Sequence, residues 1–254
     1  MLSIDLSGRL ALVTGGSGEL GRVMARTLAG CGARVAVTYL KNHDKAARLA
    51  AEICQSGGSA HAFYADVTDK GSLLTLRGEL QAWCGDPDIV VNNAVVQYAW
   101  KPVLEQEASA YESQFRSCVM HAVNVAQVFV PAMIARRHGR IIAINTECAM
   151  QNAPTQSAYT AGKRGMDGVL RVLAREIGIH QVTVNQVAPG WTVSERDRLA
   201  GSEHNEAYER GVPLGRRGTD QEIAHVVAFL ASDLASFITG AYVPVCGGNV
   251  MPAI

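Results

Sequence analysis

Tyr159 and Lys163 stand four positions apart in a segment whose apolar spacing, from Ser157 to Ile177, is typical of a helix. On a helix, residues at i and i+4 share one face and can reach a common ligand. A phenol with a pKa of about 10 is a poor base near neutral pH, and a neighbouring ammonium lowers that pKa. The two residues are therefore a candidate acid/base pair, although the same spacing is also common on ordinary helix surfaces.

A glycine-rich turn follows the first apolar run and opens a second helical pattern. Glycines at a strand-to-helix turn let backbone N–H groups approach a pyrophosphate, and the helix dipole favours the negative charge. The turn therefore predicts a dinucleotide site. Its candidate contacts are Gly15, Ser17, Gly18, Glu19, Leu20 and Gly21.

The same turn also permits a hydrolase interpretation. Residues 15–19 lack only the last glycine of the Gly-x-Ser-x-Gly nucleophile elbow, with Ser17 as the nucleophile. That elbow normally interrupts the middle of a sheet, whereas this turn follows the first strand. We also find no histidine in an obvious late loop with an acidic partner, so this alternative is disfavoured.

Short apolar runs alternate with helical stretches along the whole chain. A continuous apolar run of this length is typical of a parallel strand buried on both faces, so the alternation predicts an α/β, doubly wound parallel sheet of seven strands with helices on both faces. The expected strands are Leu10 to Thr14, Arg34 to Tyr39, Ala60 to Ala65, Ile89 to Asn92, Arg140 to Asn145, Val182 to Val187 and Ala241 to Val245.

The end of the second strand bears on the choice of cofactor. An acidic residue there would bind the ribose hydroxyl of NAD(H), but the sequence reads Tyr39, Leu40, Lys41 without a carboxylate. Lys41 could neutralise the 2'-phosphate of NADP(H). NADP(H) is therefore favoured, with NAD(H) possible, although a lysine on a solvated turn is also ordinary.

Composition excludes several other classes of protein. Positive and negative residues balance at 23 each, which gives no electrostatic footprint for nucleic acid. The six cysteines include no Cys-x-x-Cys pair and lie in apolar segments, as expected of reduced, buried thiols and not of a metal site. No segment has the roughly 18 uninterrupted apolar residues of a membrane span. We expect a soluble, cytoplasmic protein.

One domain over residues 1–254 is the simplest organisation, because no linker or repeat marks a boundary. The one long departure from the alternation is residues 191–215, which are rich in charge and follow a Pro-Gly break. A loop of this length in a compact domain favours a role at the ligand site. We interpret it as a substrate lid, the alternative being a merely solvated insertion.

With these motifs in view, the chain from Gly8 to Gly248 resembles the short-chain dehydrogenase/reductase family, particularly its members similar to 3-oxoacyl-carrier-protein reductases, and the resemblance implies a Rossmann-like fold. It implies Tyr159 as proton donor, Lys163 as the residue that holds the nicotinamide ribose, and Thr146 as the hydroxyl that orients the substrate, at a position where the family usually has serine. The implied cofactor contacts are Asp66, Val67, Asn93, Ala94, Pro189, Gly190, Thr192 and Ser194.

The sequence departs from the family pattern at three positions. Glu19 replaces the middle glycine of the phosphate turn, where its charge would repel a pyrophosphate unless it points outward. Val95 replaces a glycine and narrows the floor of the site. Cys118 stands where the family usually has the asparagine that supports a proton-relay water, so this departure concerns proton resupply and not the hydride step.

These residues predict an oxidoreductase that moves a hydride between NADP(H) and a ketone or 3-oxoacyl-type carbonyl compound. The alternative is a cofactor-binding homologue with little turnover that acts as a regulatory or scaffold subunit. A homotetramer, or second a dimer, is expected by analogy, and no metal is expected. The predicted apolar pocket wall comprises Val95, Val96, Gln97, Tyr98, Trp100, Cys148, Met150, Gln151 and Trp191.

Overall fold

The computed structural model of the protein describes residues 3–252, and its centre is a parallel sheet of seven strands in the order β3-β2-β1-β4-β5-β6-β7. The predicted fold class is confirmed. The strands are β1 Leu10–Val13, β2 Arg34–Tyr39, β3 Ser59–Tyr64, β4 Ile89–Asn92, β5 Gly139–Ile144, β6 Val182–Pro189 and β7 Tyr242–Val245.

Side chains of the central strands alternate between two apolar cores, one on each face of the sheet. In β1, Ala11 and Val13 belong to one core, and Leu10 and Leu12 belong to the other. This period of two follows from the pleat of a strand. Both faces of the sheet are therefore buried from water, which is why the sequences of the strands are continuous apolar runs.

Helices α1, α2 and α10 cover one face, and α3, α5 and α7 cover the other. The helix α7 has the bounds that its sequence pattern predicts. The helices are α1 Glu19–Gly30, α2 His43–Gln55, α3 Lys70–Trp83, α4 Ala108–Gln114, α5 His121–Arg136, α6 Cys148–Gln151, α7 Ser157–Ile177, α8 Glu195–Ala200, α9 Glu206–Glu209 and α10 Asp220–Ala231.

Helices α4 and α5 form one continuous helical run, joined by the π-helical turn Phe115–Met120. By length and composition alone, this run of residues 108–136 could cross a membrane, which the sequence analysis did not anticipate. More than half of its apolar window is buried, and the run packs against α3 and α7. A buried core helix meets the same criterion, so the run is weak evidence for a span.

The structure corrects several local predictions. β6 extends through Pro189, which the sequence analysis placed after the strand, because Pro189 still pairs with Val245 of β7. Segment 191–215, the predicted lid, contains the short helices α8 and α9. All six cysteines are free thiols, but Cys54 is exposed and only Cys118 and Cys246 are buried.

The sheet creates a binding cleft where the chain changes direction. β1 lies between β2 and β4, so the connections that leave β1 and β4 run to opposite faces of the sheet. Such a point leaves a crevice outside the carboxyl ends of the strands. The site residues lie there.

Candidate active site

A cleft of about 730 Å³ opens at the carboxyl ends of the strands. Of the predicted site residues, only Gly21 does not line it. Gly21 lies beneath the turn, where a Cβ would be 2.5 Å from the Gly15 carbonyl oxygen. The lining includes Gly15, Ser17, Gly18, Glu19, Leu20, Tyr39, Lys41, Asp66, Val67, Asn93, Ala94, Thr146, Tyr159, Lys163, Pro189, Gly190, Thr192 and Ser194.

The glycine-rich turn is fixed to both neighbouring strands by hydrogen bonds. The Gly15 N–H donates to Thr38 Oγ1 at 3.1 Å, and Asn93 Nδ2 donates to the Thr14 carbonyl at 2.9 Å. The Thr14 hydroxyl accepts the N–H groups of Asn93 and Ala94. Gly15 has a φ of +58°, in the left-handed region that favours glycine. The backbone of the turn is therefore held in one position.

The first turn of α1 suits an anion. Its N-cap is Gly18, and no side chain of the described residues caps the helix. The leading N–H groups of a helix have no partners within the helix, and they carry the positive end of its dipole. A pyrophosphate of a dinucleotide therefore fits the residues at this end of the cleft.

Glu19 does not present an uncompensated charge to that anion. Its exposed carboxylate pairs with the Arg22 guanidinium, one helical turn further on. Arg22 Nη1 also lies 3.2 Å from Glu195 Oε2 of α8. The charge of Glu19, which replaces the family glycine, is thus balanced by Arg22. Because Arg22 also contacts Glu195, it links the phosphate turn to segment 191–215.

At the cofactor end of the cleft, Tyr39 and Lys41 lie at the carboxyl end of β2, and Asp66 and Val67 lie just after the neighbouring strand β3. Asp66 Oδ1 accepts hydrogen bonds from the N–H and hydroxyl of Thr68, at 2.9 and 2.8 Å. These bonds hold the loop after β3 in place. Lys41 is exposed at the rim of the cleft, where it can meet an anion.

Tyr159 and Lys163 project from the start of α7 into the other end. Lys163 Nζ lies 5.7 Å from the centroid of the Tyr159 ring and donates to the Ile144 carbonyl at 2.6 Å. Desolvation raises the pKa of Tyr159 and lowers the pKa of Lys163. For Tyr159 this is the opposite of the expected lowering by the lysine, because the cost of burying a phenolate dominates in this structure.

Thr146 is held beside Tyr159 by bonds to its backbone. Its N–H donates to Asn145 Oδ1 at 2.9 Å, and its carbonyl accepts the hydroxyl of Tyr242 at 2.5 Å. The Thr146 hydroxyl accepts the N–H of Cys148 at 3.2 Å, and the Thr146 side chain partly offsets the rise in the pKa of the Tyr159 phenol. The three residues that the family pattern selects therefore meet at one point of the cleft.

Cys118 lies in the π-helical turn, buried against the same residues. Its thiol affects the pKa of both Tyr159 and Lys163 and is 4.0 Å from Gln114 Oε1, to which it donates weakly. His121, one turn later, is also buried, and desolvation lowers its pKa to about 4. The imidazole is therefore neutral at physiological pH.

The predicted pocket wall is only partly correct. Val95, Val96, Gln97 and Trp191 line the cleft, whereas Tyr98, Trp100, Cys148, Met150 and Gln151 do not. The Tyr98 hydroxyl turns towards α7 and accepts the N–H of Tyr159 at 2.9 Å. Met150 faces a smaller hollow of about 210 Å³ instead.

Segment 191–215 begins at the cleft and is held in place by its own cap at Ser194 and by Arg217, two residues beyond its end. Ser194 caps α8, and its hydroxyl donates to Asp197 Oδ2 at 2.7 Å. The buried Arg217 guanidinium donates to the Trp191 and Thr192 carbonyls at 3.3 and 3.0 Å. These contacts fix the stretch next to the Tyr159 end of the cleft.

Sequence reasoning missed Arg217 and the residues around Glu147, a carboxylate that follows Thr146 and is only 3% exposed. Tyr208 and Asn249 donate to it from distant parts of the chain. Its burial is unusual for a glutamate, but no feature of the sequence signals it. Nothing in the sequence pairs it with its partners.

Comparisons with known proteins agree with this geometry. A family model described as Enoyl-(Acyl carrier protein) reductase matches residues 17–249. The chain is 34% identical over 258 residues to the 3-oxoacyl-(acyl-carrier-protein) reductase FabG of Escherichia coli, covering 98% of this chain and 100% of the relative. It is 34% identical over 241 residues to the FabG of Staphylococcus aureus, covering 95% and 98%.

Among solved structures, a mutant short-chain dehydrogenase/reductase of Serratia marcescens superimposes with a TM-score of 0.86 at 31% identity, over 96% of this chain and 98% of that one. These matches are to oxidoreductases, so they argue against the hydrolase interpretation of the turn at Ser17. They extend over the cleft from the phosphate turn to Tyr159 and beyond. The chain belongs to the short-chain dehydrogenase/reductase family and is an oxidoreductase that acts on C=O and CH–OH groups.

Proposed function

We propose that the protein transfers a hydride between NADP(H) and a ketone or 3-oxoacyl-type substrate, with Tyr159 as the acid/base. One observation carries the proposal. Tyr159, Lys163 and Thr146 meet at one end of a single cleft whose other end is the glycine turn at the start of α1. A dinucleotide that spans this cleft would place its nicotinamide beside the tyrosine.

Different residues along the cleft would bind different parts of the dinucleotide. Gly15 to Leu20 would bind the pyrophosphate through backbone N–H groups, and Lys41 would bind the 2'-phosphate. Asp66, Val67, Asn93 and Ala94 would contact the adenosine and ribose. Pro189, Gly190, Thr192 and Ser194 would border the nicotinamide, which supplies or accepts the hydride when bound.

In the reductive direction, Tyr159 would donate a proton to the substrate carbonyl oxygen while the Thr146 hydroxyl orients that oxygen. The raised pKa of Tyr159 keeps the phenol protonated throughout the physiological range, as an acid requires. Lys163 would hold the nicotinamide ribose. With Cys118 in place of the family asparagine, resupply of the proton depends on other groups near Lys163.

The apolar wall of the cleft and the names of the relatives both bear on the type of substrate. Val95, Val96 and Trp191 present apolar surface next to Tyr159. The FabG relatives are named for 3-oxoacyl reduction, whereas the family model is named for enoyl reduction. A hydroxyl pair such as Tyr159 and Thr146 suits a carbonyl oxygen, which accepts two hydrogen bonds, better than an alkene. We therefore favour a carbonyl substrate.

A second function is a cofactor-binding subunit with little turnover. Cys118 favours it, because this buried thiol stands beside both Tyr159 and Lys163 where the family usually has an amide. Glu19 and Val95 are further departures from the family pattern, but Arg22 compensates the charge of Glu19. It predicts tight binding of NADPH without conversion of any carbonyl substrate.

We further propose a homotetramer, with a dimer second, in the cytoplasm. Apolar side chains are exposed on the helical faces, among them Phe115 and Val172, and Phe237 is fully exposed. Burial of such side chains between subunits would remove apolar surface from water. Sedimentation of a monomer at micromolar concentration would contradict the assembly.

The test of the function is the loss of reduced-nicotinamide absorbance, with NADPH and NADH in parallel, against diketones, 3-oxoacyl esters, aryl ketones and sugars. We expect NADPH-dependent loss with at least one carbonyl class. Tight NADPH binding without loss for any substrate would favour the cofactor-binding subunit instead.

A further inference from the structure

Glu147 is a buried carboxylate that the proposed chemistry does not use. It follows Thr146 at the end of β5 and is 3% exposed. Its Oε1 accepts the Tyr208 hydroxyl at 2.8 Å, and its Oε2 accepts Asn249 Nδ2 at 3.0 Å. Its N–H donates to the Pro189 carbonyl at 2.9 Å. One side chain thus ties the β5 loop to α9 and to the end of the chain.

Tyr208 extends this connection to the mouth of the cleft. Its hydroxyl also accepts the N–H of Trp191 at 2.8 Å, and its ring meets the Trp191 ring edge-on with centroids 5.6 Å apart. Gly190 lies directly against both partners, since a Cβ there would be 2.5 Å from the Tyr208 hydroxyl and 3.0 Å from Glu147 Oε2. Tyr208 therefore helps to hold Trp191 in place, together with Arg217, whose guanidinium carbon lies 4.8 Å from the centroid of the Trp191 ring.

A buried carboxylate keeps its charge only if donors surround it, and desolvation alone raises the pKa of Glu147. The hydrogen bonds from Tyr208 and Asn249 act in the opposite direction. The titratable groups around Glu147 are Tyr208 on α9, Cys148, Cys246, which like Glu147 lies against Gly190, and Tyr242, whose hydroxyl donates to the Thr146 carbonyl. If α9 moved away, the carboxylate would lose its Tyr208 bond while still buried by the strands, so the packed arrangement is favoured.

Glu147 does not line the cleft, but Thr146 and Trp191 on either side of its network do. It therefore cannot touch a substrate directly. We propose that Glu147 is a positioning residue that holds segment 191–215 closed through Tyr208 and so sets Trp191 as the outer wall of the substrate site. The effect on substrate rests on the proposed function, whereas the closure of the segment does not.

Closure is tested first on the protein without substrate, by amide hydrogen exchange of segment 191–215. The variants are Glu147→Gln, which keeps the shape but cannot accept from both donors, and Tyr208→Phe, which keeps the ring and removes the shared hydroxyl. Losing a hydrogen bond to a charged group should speed exchange in α9 by about tenfold. The control is Glu206→Gln, an exposed carboxylate on the same helix that pairs only loosely with Arg210, at 4.0 Å.

The consequence for substrate is tested by steady-state kinetics of the same variants. We expect KM for the carbonyl substrate to rise about tenfold, and by more than the KM for NADPH, whose pyrophosphate and adenosine contacts lie outside segment 191–215. In the wild type, KM should also rise as pH falls through the titration of Glu147, because the protonated carboxyl loses an acceptor. Glu147→Gln should show a flat profile over that range.

The outcomes separate the two claims. The proposal would be overturned if amide hydrogens of α9 exchanged as slowly in both variants as in the wild type. Faster exchange with an unchanged KM and pH profile would overturn the role of Trp191 as a substrate wall. If no carbonyl substrate is turned over by the wild type, the proposed function fails, but the exchange result still decides whether Glu147 holds the segment.

Discussion

The two ends of the cleft are held together in different ways. At the glycine turn, Thr14 and Asn93 bind backbone groups of adjacent strands, and glycines let those strands approach. At the Tyr159 end, the fixed positions come from side chains far apart in sequence, such as Glu147 with Asn249, 102 residues later. The cofactor end is thus built into the sheet, whereas the substrate end depends on long-range side-chain contacts that can vary.

The largest effect should come from the variant Tyr159→Phe, because Tyr159 is the proposed acid/base residue. Removing the hydroxyl removes the proton donor, so turnover should fall by about a hundredfold to ten-thousandfold. NADPH affinity, measured by fluorescence titration, should stay nearly unchanged because the ring remains. Tyr64→Phe, an exposed tyrosine on β3, is the control. Unaltered turnover would contradict the role of Tyr159.

Gly21→Ala should damage the cofactor end most. Its Cβ would meet the Gly15 carbonyl oxygen at 2.5 Å and Asn93 Nδ2 at 2.9 Å. We expect a loss of about 1–3 kcal/mol in unfolding free energy, because backbone must move, and weaker NADPH binding. The measurements are urea denaturation and cofactor titration.

The matched control is Gly30→Ala on the same helix. A Cβ there has no neighbour within 4 Å, so the variant should be neutral or slightly more stable. Equal behaviour of the two variants would mean that the turn is not tightly packed, and the contrast between the two ends would be lost.

The same contrast explains what could be predicted from sequence. Gly15, Asn93 and the strand ends follow from residue types at fixed offsets, because backbone geometry imposes them. Tyr159 and Lys163 share one helical turn, so their proximity was also predictable. Sequence could not pair Glu147 with Tyr208, 61 residues later, nor show that Tyr98 turns towards α7.

Burial also escaped sequence reasoning. The four-residue spacing correctly places Lys163 beside Tyr159, yet the direction of the pKa shift of Tyr159 depends on how much protein encloses the hydroxyl. The enclosing residues come from several elements, including Cys118 and Cys148. A spacing rule carries no information about such surroundings.

A smaller effect is expected at the adenosine end, where Lys41 is exposed at the rim. Lys41→Gln should raise the KM for NADPH by about three- to tenfold and leave that for NADH unchanged, because one exposed ion pair contributes little. Lys45→Gln, an exposed lysine on α2, is the control. An equal change for both cofactors would show that Lys41 does not contact a 2'-phosphate.

The smallest expected effect is on the pH dependence of thermal stability, through Glu222 at the start of α10, just beyond segment 191–215. The Arg216 guanidinium and the Thr219 N–H lower the pKa of Glu222 to about 2. Since the folded pKa lies below the ordinary 4.5, this stabilisation is full above that pH and is lost as pH falls towards 2. The difference in thermal midpoint between wild type and Glu222→Gln should therefore shrink over this range; a constant difference would contradict the assignment.

The most direct test of the central claim follows the hydride itself. NADPH carrying deuterium at the transferable position of its nicotinamide is incubated with the protein and a carbonyl substrate that supports turnover, and the product alcohol is analysed by mass spectrometry. We predict one deuterium on the carbinol carbon of the product, and at least about a hundredfold less deuterated alcohol in the same time when Tyr159→Phe replaces the wild type. Alcohol formed without deuterium, or NADPH bound tightly with no alcohol formed from any carbonyl class, would contradict the account.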